Sequence, residues 1–406
     1  MKYRILLLIL VLIVPLVVVG CGGSSGSATE KFKGGTGDSG TWTVLVFLNA
    51  DNDLEPYGIL NFNQMEKVGS TDKVKIVVQM DRSPGYDSSN GNWTGTRRYL
   101  VTKDSDTEKI NSQMIQDMGE IDMGNPDTLK EFITWGEENY PADHYCLVIW
   151  NHGSGWRSMA YSPQLTKNVS YDDTSNTSIK TTDLPNALSG IPQQIDVIAF
   201  DASLMQMLEV AYELRDSGRI LVGSEESPPG DGYVYDTWLK KLAASPGMGS
   251  TELGTVIAQE YVNAYVNKYS VTQSVIELSK LHDVAQAADD FATAVIPHMT
   301  EDAAALRTAR TNAQSYAFDY YKDIIDYAAL INQLIPDSAV SAAYSKLQTA
   351  LGSAVVYENH TGDSVDRSHG LSIYVPEPGD YIERYGTLSF SKDFPNWASM
   401  IQAQKE

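Results

Sequence analysis

A chain of 406 residues, 42% of them hydrophobic, carries enough apolar material for a large core, which excludes a disordered chain and leaves room for one big domain or two ordinary ones. Its formal net charge of -22 repels phosphate backbones and sets nucleic acid aside as a partner, in favour of basic peptides or proteins. Two cysteines make no disulfide framework, and no Cys/His spacing suits a zinc site.

Lys2 and Arg4 precede an apolar run from Ile5 to Val19 that contains Pro15. It falls short of the roughly 20 residues a membrane-spanning helix needs, so residues 1–20 are expected to be an export signal. Val18-Val19-Gly20-Cys21 resembles the lipobox of bacterial lipoproteins. That resemblance implies cleavage before Cys21, acylation of Cys21 and a lipid-anchored, extracytoplasmic place in the bacterial envelope. Residues 21–41, rich in Gly, Ser and Thr, would be a flexible tether.

Folding is expected to begin at Trp42. Val44 to Leu48 reads as a buried strand, Asn49 to Glu55 as a polar turn into a helix through about Val68, and Val74 to Met80 as the next strand; this is the βαβ unit of a parallel sheet. The acidic turn Asp51 to Glu55 lacks the Gly and terminal Glu of an EF-hand and is taken as a helix-capping turn. A Gly- and Asn-rich loop followed by Arg97 to Val101 suggests a hairpin at the sheet edge. Asn125-Pro126 then opens a helix with Leu129, Phe132, Ile133 and Gly136 on its inner face.

Tyr145 to Trp150 is an apolar strand that runs into Asn151-His152-Gly153-Ser154-Gly155-Trp156. The polar stretch from Arg157 to Ile191 reads as a long functional or mobile loop. Ile195 to Phe200 is a second apolar strand, ending in Asp201-Ala202-Ser203, and Leu204, Met207, Leu208, Ala211 and Leu214 give helical spacing at once. Ile220 to Gly223 is another strand, and the loop after it carries Asp231. Because doubly wound sheets bind ligands at the carboxyl ends of their strands, His152, Asp201, Ser203 and Asp231 are expected to converge.

From Ser250 onward the pattern turns helical, over 253–266, 282–296, 301–313, 318–334 and 338–351, with strand-like pieces at 274–278, 354–357 and 369–376. The expected organisation is a core over 42–249 and a helix-rich region with closing strands over 250–406.

The two strand-end motifs, Asn-His-Gly-x-Gly-Trp at 151–156 and Asp-Ala-x-Leu-Met at 201–205, resemble those of the clostripain family of cysteine peptidases. The acidic turn at 51–55, Asn139 to Tyr145 and the closing strand at 369–376 also fit that family. The resemblance implies a caspase-like α/β fold, a mostly parallel sheet flanked by helices, with His152 as general base. It puts the nucleophile at position 203, where this chain has Ser in place of Cys. It further implies a pocket for an Arg or Lys side chain at Asp201, helped by Asp231. Gly153 and the Ser203 N–H, taken to stand at a helix start, are candidate oxyanion donors.

A hydroxyl stays protonated where a thiol ionises near about 8.5, so the replacement is expected to impair catalysis and leave a binder of basic peptides. A slow serine peptidase using Ser203 and His152 is the alternative, and a cell-surface scaffold with a vestigial site is a third. Taken alone, His152 would be a structural histidine and Ser203 a helix N-cap. Cys146 cannot substitute, since along an extended strand it lies roughly 20 Å from His152. Some relatives use calcium, but the sequence offers no convincing ligand set, so no metal or other cofactor is assigned.

Overall fold

The computed structural model describes residues 40–404, apart from 158, 163 and 164. The described residues belong to one compact unit. Its centre is a nine-stranded sheet in the order β14-β12-β11-β10-β5-β1-β2-β3-β4. Here β1 is Trp42–Ala50, β2 Val74–Arg82, β3 Gly95–Leu100, β4 Gln113–Gly119, β5 His144–Trp150, β10 Ile195–Asp201, β11 Gly218–Gly223, β12 Val271–Glu277 and β14 Val355–Thr361. The five strands from β11 to β2 run parallel. β12 pairs antiparallel with β11, β14 with β12, β3 with β2 and β4 with β3.

Strand alternation explains why the parallel strands are continuous apolar runs. Leu45, Phe47, Leu147, Ile149, Ile198 and Phe200 face one layer, packed with Leu129 and Phe132 of helix α2 (Pro126–Asn139). Val44, Val46, Leu48, Val148, Val197 and Ala199 face the other, with Phe62 of α1 (Glu55–Glu66), Trp238 of α5 (Tyr235–Ala244) and Ile257 of α6 (Ser250–Tyr265). α2 starts as its sequence indicates, with the Asn125 side chain accepting from the Asp127 N–H at 2.9 Å ahead of Pro126.

Several elements differ from the sequence reading. β4 is an added edge strand; its residues are almost all exposed, so no buried face imposes a pattern. The stretch 157–191 is not a featureless loop. It contains the hairpins β6 (Met159–Ser162) with β7 (Leu165–Lys167) and β8 (Val169–Asp172) with β9 (Thr177–Ile179), then the short helix α3 (Leu184–Ala187). Helix α4 (Leu208–Glu213) begins five residues after Ser203, not directly behind it. Tyr321–Asp323 forms β13, which pairs with β15 (Ser372–Tyr374), and α9 (Ile324–Leu334) follows. Three further helices lie close to where their periodicity puts them, α7 at Leu281–Val295, α8 at Ala303–Asn312 and α10 at Ser338–Ala354, whereas α11 (Ser389–Asp393) and α12 (Pro395–Gln402) were not anticipated.

The order of strands reverses between β1 and β5: from β1 the chain builds outward through β2, and from β5 it builds the other way through β10 and β11. The carboxyl ends of β1, β5 and β10 therefore flank a topological switch point, where open α/β sheets hold their ligands.

Candidate active site

Trp150 at the end of β5 pairs with Asp201 at the end of β10, and the Asn151 N–H donates to the Asp201 carbonyl at 3.2 Å. This pairing delivers the two motifs side by side. The buried Asn151 side chain then ties three segments together: its Nδ2 donates to the carbonyls of Asn49 (2.6 Å) and Tyr171 (2.9 Å), and its Oδ1 accepts from the Tyr171 N–H at 2.9 Å. His152 is thus carried on a fixed backbone.

The imidazole of His152 is held by a residue the sequence did not single out. Its Nε2 lies 2.6 Å from Oδ1 of Asp53, in the acidic turn after β1. Nδ1 has no partner among the described residues. The pair is partly solvated, with the Asp53 side chain 62% exposed, so its worth lies in orienting the ring more than in stability. The signal was present as three carboxylates in five residues, but nothing in the turn's own sequence names a histidine a hundred residues away.

Gly153 packs directly on the nucleophile turn. A Cβ there would stand 2.3 Å from the Ser203 carbonyl oxygen and 3.0 Å from its nitrogen, so only glycine allows this approach. Ser203 itself is half-buried, and its Oγ has no hydrogen-bond partner among the described residues. It is not a helix cap: the residue at the N-cap of α4 is Met207. Nor does its N–H stand at a helix start, as the oxyanion assignment assumed. Instead the chain turns sharply at Leu204, a buried non-glycine residue at φ +64°, a conformation that costs on the order of 1–3 kcal/mol and clusters at functional sites.

Asp201 faces inward. Both of its carboxylate oxygens accept from the Tyr233 N–H at 3.1 Å, and Oδ2 also accepts from the Tyr235 hydroxyl at 2.9 Å. Gly232, at φ +57°, lies against it so closely that a Cβ would come within 2.6 Å of Oδ1. The cover is braced by the Tyr265 hydroxyl on the Gly232 carbonyl (2.7 Å) and the Tyr233 hydroxyl on the Phe200 carbonyl (3.0 Å). Burial pushes the Asp201 carboxyl up to about 7, partly offset by those hydrogen bonds. Asp231 is exposed just outside this cover, its carbonyl accepting from Asn61 Nδ2 at 2.9 Å. Cys146 is buried in β5 opposite Val44 and Val197, with its thiol pushed up by burial. Cys21 lies outside the described residues.

A mostly parallel sheet covered by helices on both faces, with a histidine at the end of one strand and a hydroxyl-bearing turn at the end of its neighbour, is the arrangement of a caspase-like α/β fold. The same fold occurs in a secreted C11 cysteine protease from Bacteroides thetaiotaomicron solved with an irreversible peptide inhibitor (TM-score 0.66, 23% identity, 89% of this chain and 98% of that one). It occurs also in an inactive zymogen C11 protease from Parabacteroides distasonis (TM-score 0.67, 21% identity, 87% and 97%). The chain belongs to the clostripain family, whose model matches residues 46–403. Clostripain from Hathewaya histolytica is 26% identical to it over 414 residues, covering 87% of this chain and 78% of that protein.

Proposed function

We propose that this protein is an extracytoplasmic, lipid-anchored member of the clostripain family whose peptide hydrolysis is impaired by Ser203 and which retains recognition of Arg- or Lys-containing peptides. The observation that carries this reading is the pairing of an oriented base with a poor nucleophile. His152 is held through Nε2 by Asp53, beside a strand end that offers an alcohol where the family uses a thiol. An alcohol needs its proton removed in the transition state, and a site shaped for the longer bonds of sulfur leaves oxygen too far from both base and carbonyl.

The Asp53 contact favours one second reading, a slow serine-type endopeptidase. With Asp53 on Nε2, the ring would turn Nδ1 toward a hydroxyl, the reverse of the Ser-His-Asp triad, where the carboxylate takes Nδ1; in either sense the carboxylate fixes the ring's tautomer. A covalent adduct of an electrophilic phosphonate on Ser203 supports that reading; no adduct at Ser203 supports the impaired one.

Recognition of a basic side chain through Asp201 requires Gly232 and Tyr233 to move aside, with Asp231 at the rim supplying further negative charge. One charge-assisted contact of this kind contributes roughly 1.5–3 kcal/mol. Calorimetry with Arg, Lys and Ala versions of one short peptide should find the basic forms about tenfold tighter or more, and Asp201→Asn should remove most of that margin. Affinity should also rise between about pH 6 and pH 8, because Asp201, at about 7, must shed its proton before a guanidinium can pair with it. Indifference to the basic residue or to Asp201→Asn would leave the scaffold reading ahead.

Among the described residues no helix is long and apolar enough to cross a membrane, so retention would rest on Cys21. Cys21→Ser should move the protein from the membrane fraction to the soluble one in fractionated cells; unchanged retention would remove the lipid anchor.

A further inference from the structure

The histidine motif ends at Trp156, and Trp156 forms one wall of a pocket that the proposed peptidase chemistry does not use. Asn168 ahead of β8, Lys180 and Thr181 behind β9, and Arg384 in the turn at 383–387 stand around it. The cavity volume is about 30 Å³. That is room for roughly two or three water-sized atoms, so the pocket takes one polar group and not a whole small molecule.

Every lining residue is neutral or cationic. This is a local reversal in a chain with 52 Asp and Glu against 30 Lys and Arg. Among the described residues the side chains of Lys180 and Arg384 have no ion pair and no hydrogen bond, although Asp183 and Glu383 stand close by in sequence. Both cations are exposed, whereas Trp156 is only 3% exposed and its indole N–H is buried without a partner. The rings of Tyr374 and Tyr385 pack edge-on against the indole, each with its centroid 5.0 Å away, and hold it in place. An indole nitrogen can only donate, so what the wall lacks is an acceptor. Leaving a buried donor unmet is costly, and native structures satisfy nearly all of them with protein, water or ligand.

A negatively charged acceptor answers the indole and both cations together. A carboxylate presents two oxygens in one plane, which a guanidinium meets as a fork. Phosphate has four oxygens in a tetrahedron, more than this cavity holds. Phosphate cradles are also built from runs of backbone N–H groups at glycine-rich turns or helix starts, and no glycine lines this pocket.

We propose that Trp156, Lys180 and Arg384 bind one carboxylate group beside the histidine motif. The pocket wall touches the candidate active site through Gly155. The Thr181 hydroxyl donates to the Gly155 carbonyl at 3.2 Å, and a Cβ on Gly155 would stand 2.3 Å from Met207 Sδ and 3.1 Å from the Leu204 carbonyl oxygen, in the turn that follows Ser203. The chain between His152 and Trp156 sets an upper limit of roughly 14 Å on the separation of their Cα atoms. An extended peptide covers that distance in about four residues. The carboxylate therefore has two sources, a free small acid or an acidic side chain of a bound peptide. Binding of a free acid stands on the pocket alone; only the peptide source rests on the functional reading above.

The test follows the indole N–H signals of the purified, nitrogen-15-labelled chain by NMR while sodium malonate replaces sodium chloride at constant ionic strength, with Trp156→Phe to assign the Trp156 signal. Malonate should move that signal downfield and leave the other indoles nearly in place. Lys180→Gln and Arg384→Gln, at exposed positions outside the catalytic machinery, should each weaken malonate by about threefold to tenfold. If Trp156→Phe does not fold, calorimetry of malonate with the parent and the two exposed variants reads the same site. No malonate binding, or binding that survives both exposed substitutions unchanged, would overturn the pocket. Binding with the Trp156 signal unmoved would overturn the part given to the indole, and an equal or larger response to sodium phosphate would overturn the choice of carboxylate. A second arm compares Arg peptides that carry Glu or Gln at successive positions within about four residues of the Arg. Tighter binding of a Glu form, lost in Arg384→Gln, identifies the peptide as the source; malonate binding with no advantage for Glu identifies a free acid. Arg peptides that fail to bind at all would count against the functional reading, and the malonate titration would still decide the pocket.

Discussion

Ser203→Cys should raise hydrolysis of Arg and Lys peptides by about a hundredfold or more over the parent, which is a barrier lower by roughly 2.7 kcal/mol. His152, the Asp53 carboxylate beside it and the close packing of Gly153 on the Ser203 turn are all present, and on the function proposed above the parent would lack only a group that ionises readily beside an imidazole. A thiol at position 203 would supply that group together with the longer bonds of sulfur. Release of a fluorogenic leaving group by the two proteins at equal concentration measures the effect. Equal, measurable turnover in both would mean that Ser203 is itself a working nucleophile, in favour of the serine peptidase. Silence from both would mean that the rest of the site has decayed.

In the Ser203→Cys protein, Asp53→Asn should lower kcat by about tenfold to a hundredfold while leaving KM nearly unchanged. Replacing the carboxylate of a buried Ser-His-Asp triad costs about 10⁴ because the amide favours the wrong imidazole tautomer. Asp53 is more than half exposed, and solvent takes over part of its task, so the expected loss is smaller. Asp53→Glu, which keeps the charge one methylene further out, should recover part of the rate. If KM rises instead and kcat holds, Asp53 meets substrate and does not position His152.

The parallel strands were legible because both of their faces are buried, which writes Val44 to Leu48, Tyr145 to Trp150 and Ile195 to Phe200 as unbroken apolar runs. The same rule hides β4, whose exposed Gln113, Gln116 and Asp117 obey no burial pattern. β8 is hidden for the opposite reason. Ser170, Tyr171 and Asp172 are polar yet buried, since Asn49, Asn151 and Met123 satisfy them, and no local pattern announces partners so distant. Leu204, Met207 and Leu208 imitate helical spacing, but the left-handed turn at Leu204 delays the helix. His152 and Ser203 could be found because each ends an apolar run. Asp53 lies 99 residues before the ring it holds, and a spacing rule cannot gather residues that only the sheet brings together.

The sheet also sets the order in which this molecule can come into being. β11 is flanked on its outer side by β12, and β12 by β14, so the strands beside the site are closed by segments that end at Thr361, while the sheet begins at Trp42. A nascent chain that stops after residue 249 leaves β11 with an unpaired edge of the kind that invites association with other chains. Pairings of such long sequence separation are slow to form, because the loop between the partners must lose its freedom before any contact repays the loss. This dependence on late segments ties closure of the sheet beside the Ser203 turn to completion of nearly the whole chain.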